Sequence, residues 1–220
     1  MRKVKVKICG ITREEDLAIA VAAGADAIGF IVGVTSSPRN LTLKEAEKLI
    51  KQVPIFVDSV VVTATNSINL LSKIYGELRP DALQIHGEKL SEASIIREKI
   101  HDACLIKSVY MKTGSVIKDA MEASLSFDAV LLDSFVYGKY GGTGTVHSWD
   151  LSKRVKQVIH PKPLILAGGL NSGNVKDAIR MVHPYAVDVS TGVESRPRIK
   201  DSEKVLAFIQ NAKEVSIYDN

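Results

Sequence analysis

The sequence predicts an α/β protein that folds as a single (β/α)8 TIM barrel over residues 1–220. Short apolar segments that suit buried parallel strands alternate with segments of helical periodicity, and this pair recurs eight times without a linker or a change in composition. Eight such units favour a closed barrel over a doubly wound open sheet. An open sheet should carry a glycine fingerprint after its first strand, and the turn Cys9-Gly10-Ile11-Thr12 does not fit one.

The predicted strands are short runs rich in Val, Ile, Leu and Ala, as expected where parallel strands are covered on both faces. They are Val4–Ile8, Ala27–Val32, Ile55–Val61, Ala82–Ile85, Leu105–Val109, Ala129–Leu132, Leu164–Ala167 and Tyr185–Val189. Aromatic residues make up only 5% of the chain, so we expect an aliphatic core.

Each predicted strand is followed by a segment with apolar residues three or four positions apart, which is typical of an amphipathic helix. The helices are Arg13–Ala23, Thr42 to about Gln52, a helix containing Ile68, Leu71 and Ile74, Ser91 to about His101, Val116–Leu125, Leu151–Ile159, Asn174–Val182 and Ser202–Ala212. Two capping boxes, Thr12 with Glu15 and Thr42 with Glu45, predict helix starts. The polar tail Glu214–Asn220 is expected to fray.

The composition limits the classes of function that the chain can have. Hydrophobic residues make up 45% and charged residues 25% of the chain, which is ordinary for a globular protein. The formal charge of +4 suits an anionic substrate, or solubility alone. There is no Lys/Arg-rich run with interleaved aromatic residues, so we expect no nucleic-acid partner. No apolar run is long enough to span a membrane, and we expect no membrane partner.

The two cysteines, Cys9 and Cys104, are predicted at the end and at the start of their strands, respectively. Those are opposite ends of a parallel barrel, so a disulfide between them is not expected. Two free thiols suit a reducing compartment. Because Met1-Arg2-Lys3 leads into a strand without a long apolar segment, we expect no signal peptide and a cytoplasmic protein.

Chemically useful residues follow the predicted strands, where a parallel barrel carries its active site. They are Cys9, the loop around Arg39, Asp58, His86, Asp133, Gly168-Gly169 and Ser190-Thr191-Gly192. The loops after strands seven and eight often bind phosphate through backbone N–H groups, and glycine permits that close approach. Gly141-Gly142-Thr143-Gly144, in the long loop Ser134–Asp150, is expected to close over the ligand. The alternative is that these glycines only form tight turns.

Cys9 and Asp133 form the most informative pair. Placement before a helix should lower the pKa of the Cys9 thiol, and an apolar strand end should raise the pKa of the Asp133 carboxyl. Two groups tuned in this way can act as base and acid in an isomerisation. The alternatives are a small buried hydrophobe for Cys9 and a helix cap or salt bridge for Asp133.

His86 could be a ligand, an acid/base group or a structural histidine of the rim, and the structural role is favoured. We expect no metal, because no second histidine lies at ligand spacing and Asp58 is the only evident companion. Arg39 could be a solvated charge or could bind a substrate carboxylate with its planar fork.

Several motifs, in this order along nearly the whole chain, resemble the phosphoribosylanthranilate isomerase family. They are Lys7-Ile8-Cys9-Gly10-Ile11-Thr12, Gly29-Phe30 with Ser37-Pro38-Arg39, Leu83-Gln84-Ile85-His86-Gly87, Leu131-Leu132-Asp133, Gly141-Gly142-Thr143-Gly144, Leu166-Ala167-Gly168-Gly169-Leu170-Asn171 and Asp188-Val189-Ser190-Thr191-Gly192-Val193-Glu194.

The resemblance implies a cofactor-free Amadori rearrangement of a phosphorylated small molecule, N-(5-phospho-β-D-ribosyl)anthranilate, in tryptophan biosynthesis. By analogy Asp133 is the general acid and Cys9 the general base. The implied substrate contacts are Arg39, His86, Gly141, Gly142, Gly144, Gly168, Gly169, Asp188, Ser190 and Gly192. The chain is expected to be a monomer or a homodimer.

The chain departs from the family pattern at three places. Val146-His147-Ser148-Trp149-Asp150 stands where the family usually continues towards Phe-Asp-Trp, Ser195-Arg196-Pro197-Arg198-Ile199 stands where it usually has a glycine, and the third predicted strand ends unusually at Asp58-Ser59. The alternatives are an isomerase of a related phosphorylated aminoaldose and a barrel that binds a phosphorylated ligand without catalysis. Ribulose-phosphate epimerases would need further metal ligands, and indoleglycerol-phosphate synthase would need a glutamate partner for Lys107.

Overall fold

The structure, a computed structural model, describes residues 1–65, 67–87, 93–111, 114–134 and 147–217. Within these residues eight parallel strands form one closed sheet. We number them β1 (Lys5–Cys9), β2 (Ala27–Val32), β3 (Asp58–Thr63), β4 (Ala82–Ile85), β5 (Cys104–Met111), β6 (Ala129–Ser134), β7 (Leu164–Leu166) and β8 (Ala186–Val189).

The sheet closes because β1 pairs with strands on both sides. Lys5 to Ile8 pair with Ala186 to Val189 of β8, and Lys7 to Cys9 pair with Ala27 to Gly29 of β2. All the pairings around the ring are parallel, so the predicted barrel is confirmed and the open sheet is excluded. A further two-residue strand, Asn40–Leu41, pairs with the end of β2.

Helices surround the sheet and follow the strands in the predicted order. They are α1 (Glu14–Ala22), α2 (Leu43–Ile50), α3 (Ile68–Leu78), α4 (Ala93–Lys99), α5 (Val116–Ser126), α6 (Trp149–Ile159), α7 (Val175–Val182) and α8 (Ser202–Glu214). Each helix turns its apolar face towards the strands, so one apolar layer lies between sheet and helices and a second, smaller one fills the barrel. Cys9 belongs to the inner layer.

Only one of the two predicted capping boxes forms. Thr42 and Glu45 form the predicted box at the start of α2, with both reciprocal hydrogen bonds. The box predicted for Thr12 and Glu15 is wrong, because α1 starts later and its N-cap, Arg13, makes no side-chain cap. The Thr12 hydroxyl instead donates to the carbonyl of Arg198 at 3.1 Å, which ties the loop after β1 to the segment before α8.

The third strand is shifted towards the C-terminus from its predicted position. Ile55 and Phe56 are apolar but lie in a turn, 81% and 94% exposed, and Phe56 has a φ of 71°. The strand starts at Asp58, so this residue lies at the opposite end of the barrel from Cys9. The assignment of Asp58 to the functional rim, and of Asp58-Ser59 to a strand end, was therefore wrong.

The C-terminal tail is also more ordered than predicted. Ser216–Ile217 pairs antiparallel with Arg2–Lys3, and Ile217 is buried at the edge of the outer apolar layer. The predicted fraying is wrong for these residues, while residues 218–220 lie outside the described part. None of the described helices is both long and apolar enough to cross a membrane.

Candidate active site

Inward side chains at the C-terminal ends of the strands line a cleft at one rim of the barrel. Because alternate residues of a strand face the same side, β1 directs both Lys7 and Cys9 into the barrel. The cleft is lined by Cys9, Ile31, Val34, Ser37, Arg39, Val62, Thr63, Ala64, Gln84, His86, Asp133, Asp188 and Ser190. The structure thus brings together the predicted residues Cys9, Arg39, His86, Asp133, Asp188 and Ser190.

Cys9 has space in this cleft because its neighbour on β2 is Gly29. A Cβ placed on Gly29 would lie 2.7 Å from the Cys9 Sγ. Burial raises the pKa of the Cys9 thiol, against the positive charges of Lys7 and Lys200, which lower it. The predicted lowering by a helix N-terminus is wrong in direction, because α1 starts five residues later and the thiol is only 6% exposed. Cys104 is free and lies at the far end of the barrel.

Lys7 is the main group that our sequence reasoning missed. Its buried ammonium donates to Asp188 Oδ1 at 3.0 Å and to Gln84 Oε1 at 2.8 Å. Burial lowers the pKa of Lys7, but the charges of Asp188 and Cys9 outweigh it and leave that pKa raised. Lys7 therefore stays protonated and holds a fixed positive charge beside the thiol. Its position two residues before Cys9, on the same strand face, was the available signal.

Asp133 is the last inward residue of β6 and is 7% exposed. Burial, followed by the charge of Asp188, raises the pKa of this carboxyl to about 7. The backbone N–H of Ser134 donates to Asp133 Oδ1 at 2.8 Å and opposes that rise, as does Lys7. The predicted direction is confirmed, and the carboxyl can hold or release a proton near neutral pH.

His86 belongs to a hydrogen-bond network that fixes its tautomer. Lys7 has only protons to offer, so the oxygen of Gln84 faces Lys7 and its nitrogen faces His86 Nε2 at 2.8 Å. His86 Nδ1 then carries the proton and donates to the Tyr110 hydroxyl at 2.8 Å. Burial lowers the pKa of His86 to about 3. The ring is neutral, which favours the structural role over acid/base work.

Arg39 is held by a buried ionic cluster. Its Nε and Nη2 donate to the two carboxylate oxygens of Glu194 at 2.7 and 2.5 Å. Lys200 donates to Glu194 Oε1 at 3.1 Å and to the carbonyls of Cys9 and Ser190 at 2.7 and 3.0 Å. The fork that was expected to grip a substrate carboxylate is therefore occupied by Glu194. Among the described residues, none accepts a hydrogen bond from Arg39 Nη1.

A second cleft adjoins the first and shares Asp133, Asp188 and Ser190 with it. It is lined by Ala167–Leu170 and Val189–Gly192, the ends of β7 and β8. Gly168 and Gly169 have φ angles of 81° and 67°, a conformation that favours glycine. A side chain at Gly192 would collide with the carbonyl of Leu170. The buried Ser190 hydroxyl makes no hydrogen bond within the described part of the chain.

These loops present small residues and a polar side chain around an open space, as an anion site requires. Gly141, Gly142 and Gly144 lie outside the described residues. Within the described ranges, no group of three or more His, Cys, Asp or Glu side chains is placed to hold a metal ion.

The chain is similar to known proteins over nearly its whole length. The family model described as N-(5'phosphoribosyl)anthranilate (PRA) isomerase matches residues 6–211. The N-(5'-phosphoribosyl)anthranilate isomerases of Pseudomonas fluorescens and Methanosarcina acetivorans are 46% and 43% identical to it. The matches cover 95% of this chain and 98% of the first relative, and 96% of this chain and 94% of the second.

Solved structures similar to this chain are also described as phosphoribosyl anthranilate isomerases. Phosphoribosyl anthranilate isomerase from Thermotoga maritima has a TM-score of 0.86 and 34% identity, over 96% of this chain and all of that one. A phosphoribosyl anthranilate isomerase in complex with reduced 1-(o-carboxyphenylamino)-1-deoxyribulose 5-phosphate has a TM-score of 0.82 and 33% identity, with the same coverage.

The fold, the site and these relatives together define a (β/α)8-barrel enzyme of the isomerase class, with its cleft at the C-terminal rim of the strands. Within that class the chain belongs to the N-(5'-phosphoribosyl)anthranilate isomerase family.

Proposed function

We propose that Asp133 and Cys9 are the general acid and the general base of the reaction that this chain catalyses. That reaction is the Amadori rearrangement of N-(5-phospho-β-D-ribosyl)anthranilate to 1-(2-carboxyphenylamino)-1-deoxyribulose 5-phosphate, a step of tryptophan biosynthesis. The observation that carries the assignment is that one cleft is lined both by a thiol and by a carboxyl whose pKa is raised to about 7.

The reaction needs one proton delivered and one removed. Protonated Asp133 donates to the ribose ring oxygen while the C1′–O bond breaks, and the anthranilate nitrogen supplies the electron pair that forms the Schiff base. The Cys9 thiolate then removes the C2′ proton, which gives an enolamine. Proton return at C1′ and loss of the hydroxyl proton at C2′ give the ketone, so no atom is gained or lost overall.

The two groups share their protons at neutral pH. The Asp133 carboxyl has a pKa of about 7, and burial raises the pKa of the Cys9 thiol above its usual range. Between these two pKa values the pair holds one proton, which lies chiefly on the sulfur, as a carboxylate and a thiol. The productive form, a protonated carboxyl and a thiolate, holds the same single proton and is less populated. Lys7 stabilises the Cys9 thiolate both by its charge and by a hydrogen bond, and it acts on the Asp133 carboxylate by charge alone, so it increases the productive share.

The two clefts suggest how the substrate lies. The phosphate binds the loops at Gly168-Gly169 and Ser190-Thr191-Gly192. Glycine leaves room there, and the Ser190 hydroxyl, which has no hydrogen-bond partner among the described residues, offers a donor. Asp188 lines both clefts and accepts a hydrogen bond from Lys7. Arg39 faces the anthranilate carboxylate with Nη1 in a single contact, since Glu194 holds its other two nitrogens.

The experiment is turnover of freshly made phosphoribosylanthranilate by the purified protein in the presence of a chelator. We expect wild-type turnover to persist, which also tests the prediction that the reaction needs no metal. Cys9→Ala and Asp133→Asn should each lose at least ~100-fold in kcat, the scale of one general acid or base. Cys104→Ala is the matched control, because this second thiol lies at the far end of the barrel.

Near-normal turnover by Cys9→Ala or Asp133→Asn would remove the role assigned to that residue. If the wild type binds inorganic phosphate but does not convert phosphoribosylanthranilate, a related aminoaldose substrate or a binding-only barrel becomes the better reading.

We also propose that two copies of the chain associate through the turn that carries Ile55 and Phe56. These adjacent apolar residues are almost fully exposed, and one solved relative from Thermotoga maritima is described as dimeric. Light scattering should give a dimer mass for the wild type and a monomer mass for Phe56→Ser. Leu125→Ser, at another exposed apolar residue, should stay dimeric. A wild-type monomer would refute this.

The single domain and the cytoplasmic location stay predictions of the sequence.

A further inference from the structure

A partly buried histidine, His147, lies close to the strand end that carries Asp133, although it lines neither cleft. His147 lies just before α6, and its ring bridges two hydroxyl groups. Ser152 Oγ is 2.9 Å from Nε2, and Ser134 Oγ is 3.3 Å from Nδ1. A phenyl ring at this position would make neither bond.

The hydrogen-bond partners of the His147 ring determine which groups donate and which accept. The Ser152 hydroxyl donates to the carbonyl of Ser148 at 3.2 Å, so its oxygen is left to accept from His147 Nε2. Burial lowers the pKa of His147 to about 4, so the ring is neutral near pH 7 and Nδ1 is an acceptor. The Ser134 hydroxyl therefore donates to His147 Nδ1.

Ser134 in turn is fixed against Asp133. Its backbone N–H donates to Asp133 Oδ1 at 2.8 Å. On the other side it packs against Gly168, where an added Cβ would lie 2.5 Å from the Ser134 nitrogen. Ser134 thus lies between the loop at Gly168-Gly169 and His147.

We propose that His147 is a positioning residue for this reaction: by holding the Ser134 hydroxyl, it aims the Ser134 N–H at the Asp133 carboxyl. The proposal rests on the acid role of Asp133. Through this chain of contacts the start of α6 sets the rotamer of the group that protonates the ring oxygen. A small error in that direction costs rate without weakening the hold on phosphate or carboxylate.

Three substitutions at His147 separate the two bonds. His147→Phe keeps a ring of similar size and removes both. His147→Asn keeps an acceptor near the Nδ1 position for Ser134. His147→Gln keeps a donor near the Nε2 position for Ser152. His101→Phe, on the exposed surface, is the matched control.

We expect His147→Phe and His147→Gln to lower kcat about tenfold with KM unchanged, and His147→Asn to retain most of the rate. The N–H of Ser134 lowers the pKa of Asp133, so its loss lets that pKa rise above about 7. Because the productive form holds one proton between the two groups, the low-pH limb of the kcat/KM profile follows the lower pKa, that of Asp133. This limb should therefore move to higher pH in His147→Phe and His147→Gln. In an Asp133→Asn background, His147→Phe should have no further effect on kcat.

Wild-type kcat and an unmoved pH limb in His147→Phe would overturn the proposal. The proposal would also be overturned if all three His147 variants showed the same decrease in kcat, the same change in KM and the same decrease in thermal stability. That result would describe a purely structural side chain. If Asp133→Asn alone turns over normally, the acid assignment fails, and this outcome is read independently of His147.

Discussion

Replacing Asp133 with asparagine should stabilise the folded protein while it removes the proposed acid. The wild-type carboxyl has a pKa raised from 3.8 to about 7, chiefly by burial. Between these two pH values the folded protein keeps a proton that the unfolded chain has lost, so the free energy of unfolding falls as pH rises through this range. Asparagine has no such proton, and its side-chain oxygen can still accept from Ser134.

The magnitude follows from the shift in pKa. At 1.36 kcal/mol for each pH unit, a rise from 3.8 to about 7 corresponds to about 4 kcal/mol of unfolding free energy, fully lost above the folded pKa. About 2–3 kcal/mol of this is lost between pH 5 and pH 8. The advantage of Asp133→Asn over wild type should therefore grow by about 2–3 kcal/mol over that interval.

The assay is urea unfolding of both proteins at pH 5 and pH 8, followed by circular dichroism. Asp128→Asn is a control of opposite sign, since Arg97 and the backbone N–H of Leu105 hold the pKa of the Asp128 carboxyl below its usual range despite burial. That variant should be less stable than wild type at pH 8. If the stability difference between Asp133→Asn and wild type does not change with pH, the pKa of Asp133 is not raised in the folded protein.

Three further substitutions, one of them with a control variant, test the site and the backbone. Gly29→Ala places a methyl group 2.7 Å from the Cys9 Sγ and should cut kcat at least ~10-fold, whereas Gly76→Ala, with open space around it in a helix, should keep kcat and raise stability by about 0.5–1 kcal/mol. Arg198→Gly should raise stability by about 0.5–1 kcal/mol in urea unfolding, because Arg198 has a φ of 75° that costs a residue with a Cβ. Lys7→Met should lower kcat and move the high-pH limb of the pH–rate profile upward, since the thiolate loses its positive neighbour; an unmoved limb would contradict this.

The strands that could be predicted are those whose apolar runs end in polar or glycine residues. Ala27–Val32 and Ala82–Ile85 have the predicted bounds. The third strand was misplaced because Ile55 and Phe56 are as apolar as a buried strand, although the turn leaves them exposed. Hydrophobicity along the chain does not show which apolar residues a second surface covers.

The site shows the same division. Cys9 and Asp133 were predicted because each closes an apolar strand, and the end of a barrel strand is a place for chemistry. Lys7 was not assigned a role, because a charged side chain in a short strand suggests an outward position, and Lys200 was not assigned one because it lies outside every predicted strand and helix. Their partners lie far away in sequence: Asp188 is 181 residues from Lys7, and the carbonyl of Cys9 is 191 residues from Lys200. Only closure of the barrel brings these groups together.

The acid–base assignment is tested by a single-turnover measurement on Cys9→Ala and Asp133→Asn with phosphoribosylanthranilate already bound. We expect both variants to bind the substrate with a Kd near that of the wild type, since neither side chain holds the phosphate or the carboxylate. Their conversion rates should be at least ~100-fold lower. If either variant converts bound substrate at the wild-type rate, the acid–base assignment is wrong.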